Sequence, residues 1–369
     1  MRDPFPIPPI PALSRAVEPL AERLDMPTLP VHIHEVVGAA LLYTLIQTVV
    51  SPVLSSRLFP KYYPVHNRAR KVNWDTHVVS LVQSLLINGL ALWVMFADEE
   101  RKNMDFEQRI WGYTGACGLI QALAAGYFVW DLGITLLNLD VFGIGLLAHA
   151  ISALTVYTFG FRPYLNFYSP IFILYELSTP FLNIHWFFDK LNMTGSKPQL
   201  YNGIALLVTF FLCRLVWGTY QSAVVYVDMW HSLSRLPSPE YIAAAFADPL
   251  TASDPDTNPM FFSREPKAVP IWLTGLYLAS NLTLNALNWH WFVKMIAAVR
   301  KRFEPPKPGK QKVPLPAEPA PPAAAAAKTS AVDDGSMRDG VTPRHRRTSS
   351  ITIEDVVPDT EELREGTIQ

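Results

Sequence analysis

Cysteine is nearly absent from this chain. Its 369 residues hold two, Cys117 and Cys213, each inside an apolar run. Two thiols so placed exclude a disulfide framework, and no C-x-x-C spacing offers a zinc site. Charge is scarce too: Asp, Glu, Lys and Arg make up 17% of the chain, against about 25% in soluble domains. The net charge of −1 creates no global field that would draw nucleic acid. There is no glycine-rich phosphate loop and no internal repeat, and the histidines lack the paired spacing of a metal site. No metal or cofactor is therefore expected. The first 34 residues are rich in proline and lack a continuous apolar core. A cleavable signal peptide is not expected, and insertion falls to the first membrane helix.

What the chain does have is apolar length. Hydrophobic residues make up 50% of it, concentrated between residues 35 and 297. A membrane helix needs about 20 mostly apolar residues. Seven stretches meet or approach that length: 35–56, 77–97, 113–137, 141–160, 164–187, 201–227 and 270–297. The fifth contains Pro170 and Pro180, which predicts a kinked span inside a bundle, where neighbouring helices satisfy the freed carbonyls. The expected fold is an all-α integral membrane bundle of about seven helices around a polar cavity. Its divisions are a polar segment at 1–34, the first membrane helix with a basic loop at 35–73, the main membrane domain at 74–299, and a tail at 300–369.

Loop charge gives the orientation. The loop after the first span carries Arg57, Lys61, Arg68, Arg70 and Lys71, and "VRKRF" follows the last span. The positive-inside rule puts both in the cytoplasm. With an odd number of spans the N-terminus lies on the opposite side. The stretch "EPPKPGKQKVPLPAEPAPPAAAAAK" has almost no large apolar residues, so the tail is expected to be disordered. Within it "RHRRTSS" places Ser349 two residues after Arg347, a pattern that a basic-directed kinase could use. Residues 245–268, rich in Pro, Asp, Ser and Thr, predict an irregular loop.

Polar groups inside the apolar stretches are the main functional signal. Ionisable residues within spans are rare and face the bundle interior or a cavity. Here they are Asp131, His149, Glu176, His185, Arg214 and His290. Asn183 joins them, as do Asn281, Asn285 and Asn288, whose i, i+4, i+7 spacing puts them on one helix face. From the helical rise, Glu176 lies about 16 Å and Arg214 about 20 Å from the presumed cytoplasmic ends of their spans. An arginine near the middle of a bilayer costs about 3 kcal/mol on insertion scales, which predicts a pair with Glu176. Two readings stay open for this set: polar contacts that join helices, or a chamber that holds a lipid headgroup or a reacting acyl chain.

"GYFVWDL" (126–132), "GLLAHAIS" (145–152), "ELSTPFLNIHWF" (176–187) and "YNGIALLVTFFLCRLVWG" (201–218), in this order, resemble the TLC-domain family. That family comprises the ceramide synthases and a set of smaller membrane proteins. The resemblance runs from Trp74 to Val299, and "ELSTPFLN" points to the smaller proteins. The proline-rich tail resembles that of fungal members. The resemblance implies a helix bundle around a cavity in an internal membrane, the endoplasmic reticulum, with a role in lipid homeostasis. In the synthases a histidine pair in the cavity serves acyl transfer from acyl-CoA to a sphingoid amine. His149, flanked by Ala148 and Ala150, stands alone, so ceramide synthesis itself is not expected.

Two functions follow. One is non-enzymatic: the chamber binds a membrane lipid. The other is a lipid acyltransferase acting on an acyl-CoA or a sphingoid-like substrate, with His149 as general base and Asp131 or Glu176 orienting it. A transporter fits less well, because no inverted repeat or pair of broken helices supports one.

Overall fold

Short polar side chains start the helices. Asn67 accepts a hydrogen bond from the backbone N–H of Arg70 at 2.9 Å, Thr114 from that of Cys117 at 3.3 Å, and Ser196 from that of Gln199 at 3.4 Å. Each satisfies one of the N–H groups that a first helical turn leaves unpaired. The computed structural model describes residues 1–303 except Pro163. Its regular structure is helical, with no strand among the described residues. The expected disordered tail from residue 304 on and the Ser349 motif lie outside the described residues; residues 300–303, expected in the tail, continue the last helix instead.

The main elements are α1 (Pro11–Leu24), α2 (Leu29–Leu58), α3 (Arg68–Ala97), α4 (Gly115–Leu137), α5 (Leu139–Phe159), α6 (Thr179–Lys190), α7 (Lys197–Leu233) and α8 (Ile271–Phe303). Among the described residues, five helices are long and apolar enough to cross a membrane: α2, α3, α4 together with the short helix Phe106–Trp111 before it, α5 and α7. The other two expected spans differ in kind. The last is the single 33-residue helix α8, whose asparagines and charged C-terminal end lower its apolarity. The fifth is not one kinked helix. It runs as a 3-10 turn at Asn166–Tyr168, a short helix at Ser169–Phe172, a 3-10 segment at Ile173–Ser178 and then α6. Pro170 and Pro180 do not bend a continuous helix, as the sequence suggests. Each lies in the first turn of its own helix, where the missing N–H costs nothing. Neighbouring side chains cover the carbonyls of this broken stretch. Asn88 donates to the Glu176 carbonyl at 2.8 Å, and Trp217 Nε1 to that of Ile171 at 3.4 Å.

Helix α4 is the centre of the bundle, packed between α2 and α5, with α3 alongside. Gly126 lets the α2 backbone come close: a Cβ there would stand 2.4 Å from the Val36 carbonyl oxygen. The first membrane helix begins at Leu29, ahead of the expected residue 35, so His32, His34 and Glu35 lie on it. Helix α1 and residues 235–270 cover the end of the bundle where α2 begins. Met260 is fully buried there, Tyr113 N–H donates to the Pro259 carbonyl at 2.8 Å, and Ser263 Oγ donates to that of Trp111 at 2.6 Å. The 245–268 stretch is irregular apart from two short helical turns. The opposite end, where α3, α5 and α7 start and α8 finishes, carries the basic cluster Arg57, Lys61, Arg68, Arg70 and Lys71.

Candidate functional site

Arg214 sits in a π-helical stretch, Phe211–Trp217, inside α7. Such wide turns recur at functional sites. Glu176 lies on the facing 3-10 segment. Both side chains are buried, and Arg214 Nη2 comes to 3.5 Å from Glu176 Oε1, the ion pair expected from their depth. The guanidinium has further partners. It donates to Ser178 Oγ, Thr179 Oγ1 and the Asn288 side-chain oxygen, each at 3.1 Å. Arg214 is thus fixed from three sides, by the broken segment, by α6 and by α8.

Two cavities meet at this group. The larger, about 820 Å³, opens at the basic end of the bundle, where Arg70, Asn73, Asp140 and Gln199 line it. The smaller, about 80 Å³, lies toward the other end among Phe128, Val156, Tyr157, Phe172 and Tyr277. Three residues line both: His149, Glu176 and Arg214. They form the polar partition between a wide chamber and an apolar recess.

The remaining residues singled out by the sequence divide between the two spaces. Asp131, Asn183, His185 and His290 line the larger cavity, and Asn281 and Asn288 the smaller. Asn285 lines neither; its amide donates to Asn281 Oδ1 at 2.7 Å and to Ser222 at 3.3 Å, while Asn281 accepts from the Tyr226 hydroxyl at 2.5 Å. This face of α8 therefore joins α8 to α7. The expected contact of His149 with Asp131 or Glu176 is not formed. His149 makes no hydrogen bond among the described residues, its Nδ1 is buried without a partner, and its ring packs beside Phe128 and Trp291 at centroid distances of 6.2 and 5.8 Å. No carboxylate orients it as a general base in this arrangement. Among the described residues, no trio of metal-ligating side chains converges in the chamber.

Sequence reasoning missed His77. It lines the larger cavity, stacks on Trp186 with centroids 4.0 Å apart, and donates from Nδ1 to Asn183 Oδ1 at 2.7 Å. Asn183 in turn donates to Ser80 at 3.0 Å. His77 falls early in its apolar stretch, close to the basic loop, where a histidine draws no notice. Its partner Asn183 was the available signal, since an asparagine buried in a span must be satisfied by a neighbouring helix.

Comparison with known proteins agrees with this architecture. The family model of the TLC domain matches residues 73–297. The chain is 38% identical over 292 residues to an uncharacterized TLC domain-containing protein of Schizosaccharomyces pombe, covering 79% of this chain and 87% of that one. It is 27% identical over 281 residues to the Saccharomyces cerevisiae protein named topoisomerase I damage affected protein 4, covering 74% and 86%. It is 31% identical over 169 residues to human TLC domain-containing protein 4, covering 45% and 59%. The matched region takes in the broken segment, the π-helical arginine, the smaller cavity and most of the larger one, and the chain belongs to the TLC domain family.

Proposed function

We propose that the protein binds a membrane lipid in the larger chamber and acts in lipid homeostasis, in the endoplasmic reticulum. The observation that carries this reading is the partition of His149, Glu176 and Arg214 at the inner end of an 820 Å³ space. That volume falls in the range of about 300–1,000 Å³ typical of small-molecule sites. The arrangement suits an amphiphile. Polar groups stand at the partition and along Asp131, His77 and Asn183, while Leu206, Leu207, Phe210, Trp291 and Met295 supply apolar lining. Leu200 and Ile204 also line the space, yet they are 53% and 52% exposed. They sit on the first turns of α7, the place where an acyl chain would enter the chamber from the bilayer.

Gly145 provides the test. It lines the chamber, and a Cβ there would have nothing within 4 Å, so the side chain of Gly145→Trp starts in open space and takes up part of the chamber. Lipid extracted from the purified wild type should be stoichiometric and of one headgroup class, and the variant should lose it while keeping its helical content. Equal lipid content in the two proteins would contradict the reading.

A lipid acyltransferase that uses His149 as base is the second reading. It is favoured by the unpartnered Nδ1 of His149 at the junction of the two cavities. It requires a substrate group to supply the orientation that no carboxylate gives. Full complementation of a deletion strain by His149→Ala would end it.

A further inference from the structure

A second polar cluster lies at the opposite end of the bundle from the chamber mouth. Asp3 reaches from the N-terminal segment onto the first turns of α2, where it meets His32 and Glu35. One ligand atom from each lies within 4.8 Å of the other two. His32 Nδ1 is 2.9 Å from Glu35 Oε2 and 3.6 Å from Asp3 Oδ2. The i, i+3 spacing puts His32 and Glu35 on one face of α2. Their side chains are fully buried, and that of Asp3 is 24% exposed.

The surroundings are shaped to bring the three together. A Cβ on Gly115 would stand 2.4 Å from the Asp3 nitrogen, and one on Gly118 would stand 2.2 Å from His32 Nε2. Glycine at both positions lets α4 form a floor directly beneath the cluster. Two carboxyl groups are gathered here with imidazole partners rather than lysine or arginine. The adjacent Arg2 turns away, to Asp256 at 3.0 Å. Glu35 Oε1 is buried and has no hydrogen-bond partner among the described residues. On its far side the His32 ring meets the Tyr113 hydroxyl, with Nε2 at 2.6 Å. A histidine that ligates through Nδ1 carries its proton on Nε2, and an acceptor there fixes the tautomer, as outer-shell groups do at metal sites.

We propose that Asp3, His32 and Glu35 form a site for one divalent transition-metal cation of the zinc type. One imidazole nitrogen and two carboxylate oxygens are a ligand set that zinc accepts, with a fourth position left open. Zinc holds nitrogen and oxygen at about 2.0–2.2 Å, which places tetrahedral ligands roughly 3.3 Å apart. Two of the three spacings, 2.9 and 3.6 Å from His32 Nδ1, lie on either side of that separation, and all three ligand atoms lie within 4.8 Å of one another, so the two carboxylates need only close in around the cation. The sequence alone does not predict the site, because Asp3 stands far from the histidine and glutamate along the chain. The site is separate from the lipid chamber, and its test is independent of that reading.

Full-length protein without a histidine tag, purified without chelator, should contain close to one zinc per chain by elemental mass spectrometry. After stripping with dipicolinate, Co²⁺ should restore a visible d–d spectrum, and Zn²⁺ should raise the melting temperature. Asp3→Asn alters the one partly exposed ligand and leaves the buried pair in place. It should weaken Co²⁺ binding by at least about tenfold, whereas His149→Ala in the chamber should bind as the wild type does. If the cluster is only a hydrogen-bonded pair of carboxyl groups, the stripped wild type will show no Co²⁺ spectrum and no thermal response to Zn²⁺. That result overturns the proposal, and so does an Asp3→Asn variant that binds Co²⁺ as tightly as the wild type.

Discussion

Arg214 is the side chain on which the chamber's polar contacts converge, and it makes the sharpest single-residue prediction. It pairs with Glu176 at 3.5 Å and also donates to three neutral acceptors. Arg214→Met strands a buried carboxylate and should cost about 3–5 kcal/mol. Glu176→Gln should cost less, because Ser178, Thr179 and Asn288 still hold the guanidinium. The double variant should be less destabilised than the sum of the two. A double-mutant cycle in detergent should then give a coupling above about 1 kcal/mol, against about 0.3–0.5 kcal/mol for independent sites; additive losses would show that the ion pair contributes nothing. This pair was legible in the sequence, since two charges deep in apolar stretches demand a partner. The position of His149 was legible too, but its isolation from Asp131 and Glu176 was not. Helix periodicity places a residue on a face of its own helix and does not give the rotation of that helix against its neighbours.

At the level of elements, three departures from plain α-helix lie around the chamber, while the π-helical stretch Ile46–Val50 within α2 lies apart from it. The 3-10 segment carries Glu176, the π-helical stretch carries Arg214, and α5 breaks at Gly143, whose φ of 74° and ψ of 172° suit glycine alone. Gly143 sits beside Asp140, Val141 and Phe142, which line the chamber near its mouth. Gly143→Ala should cost about 1–3 kcal/mol, from strain that a side chain meets in that region. Gly145→Ala, two residues on in regular helix with open space around its Cβ, should be neutral or slightly stabilising. Thermal melts of the two variants check this, and equal melting temperatures would remove the strain argument. None of the three irregular stretches could be read from the sequence, because each has the same apolar composition as the helices around it. The prolines marked the fifth stretch as unusual but suggested a bend, whereas the structure uses them to start two separate helices.

For the whole molecule, the bundle has one covered end and one open end. Residues 1–28 and 235–270 close the first, and the chamber opens at the second, among the basic residues. The apolar lengths were enough to read a membrane bundle, and the loop charges supply an expected orientation. The Asp3–His32–Glu35 cluster was not readable, since only the folded chain brings residue 3 onto α2. If the positive-inside rule holds here, a glycosylation reporter inserted in the 59–67 loop or fused at the C-terminus should stay unmodified, and one inserted near residue 255 should be modified. A glycosylated C-terminal reporter would reverse the orientation. Photocrosslinking shows whether a lipid occupies the chamber. Membranes carrying the protein would be loaded with lipids bearing a diazirine on the acyl chain, irradiated, and the labelled residues mapped by mass spectrometry. Labels should fall on the chamber residues Leu206, Leu207, Trp291 and Met295 and be lost in Gly145→Trp. Labels confined to outward-facing positions such as Leu41, Leu85 and Val216, unchanged in the variant, would contradict it.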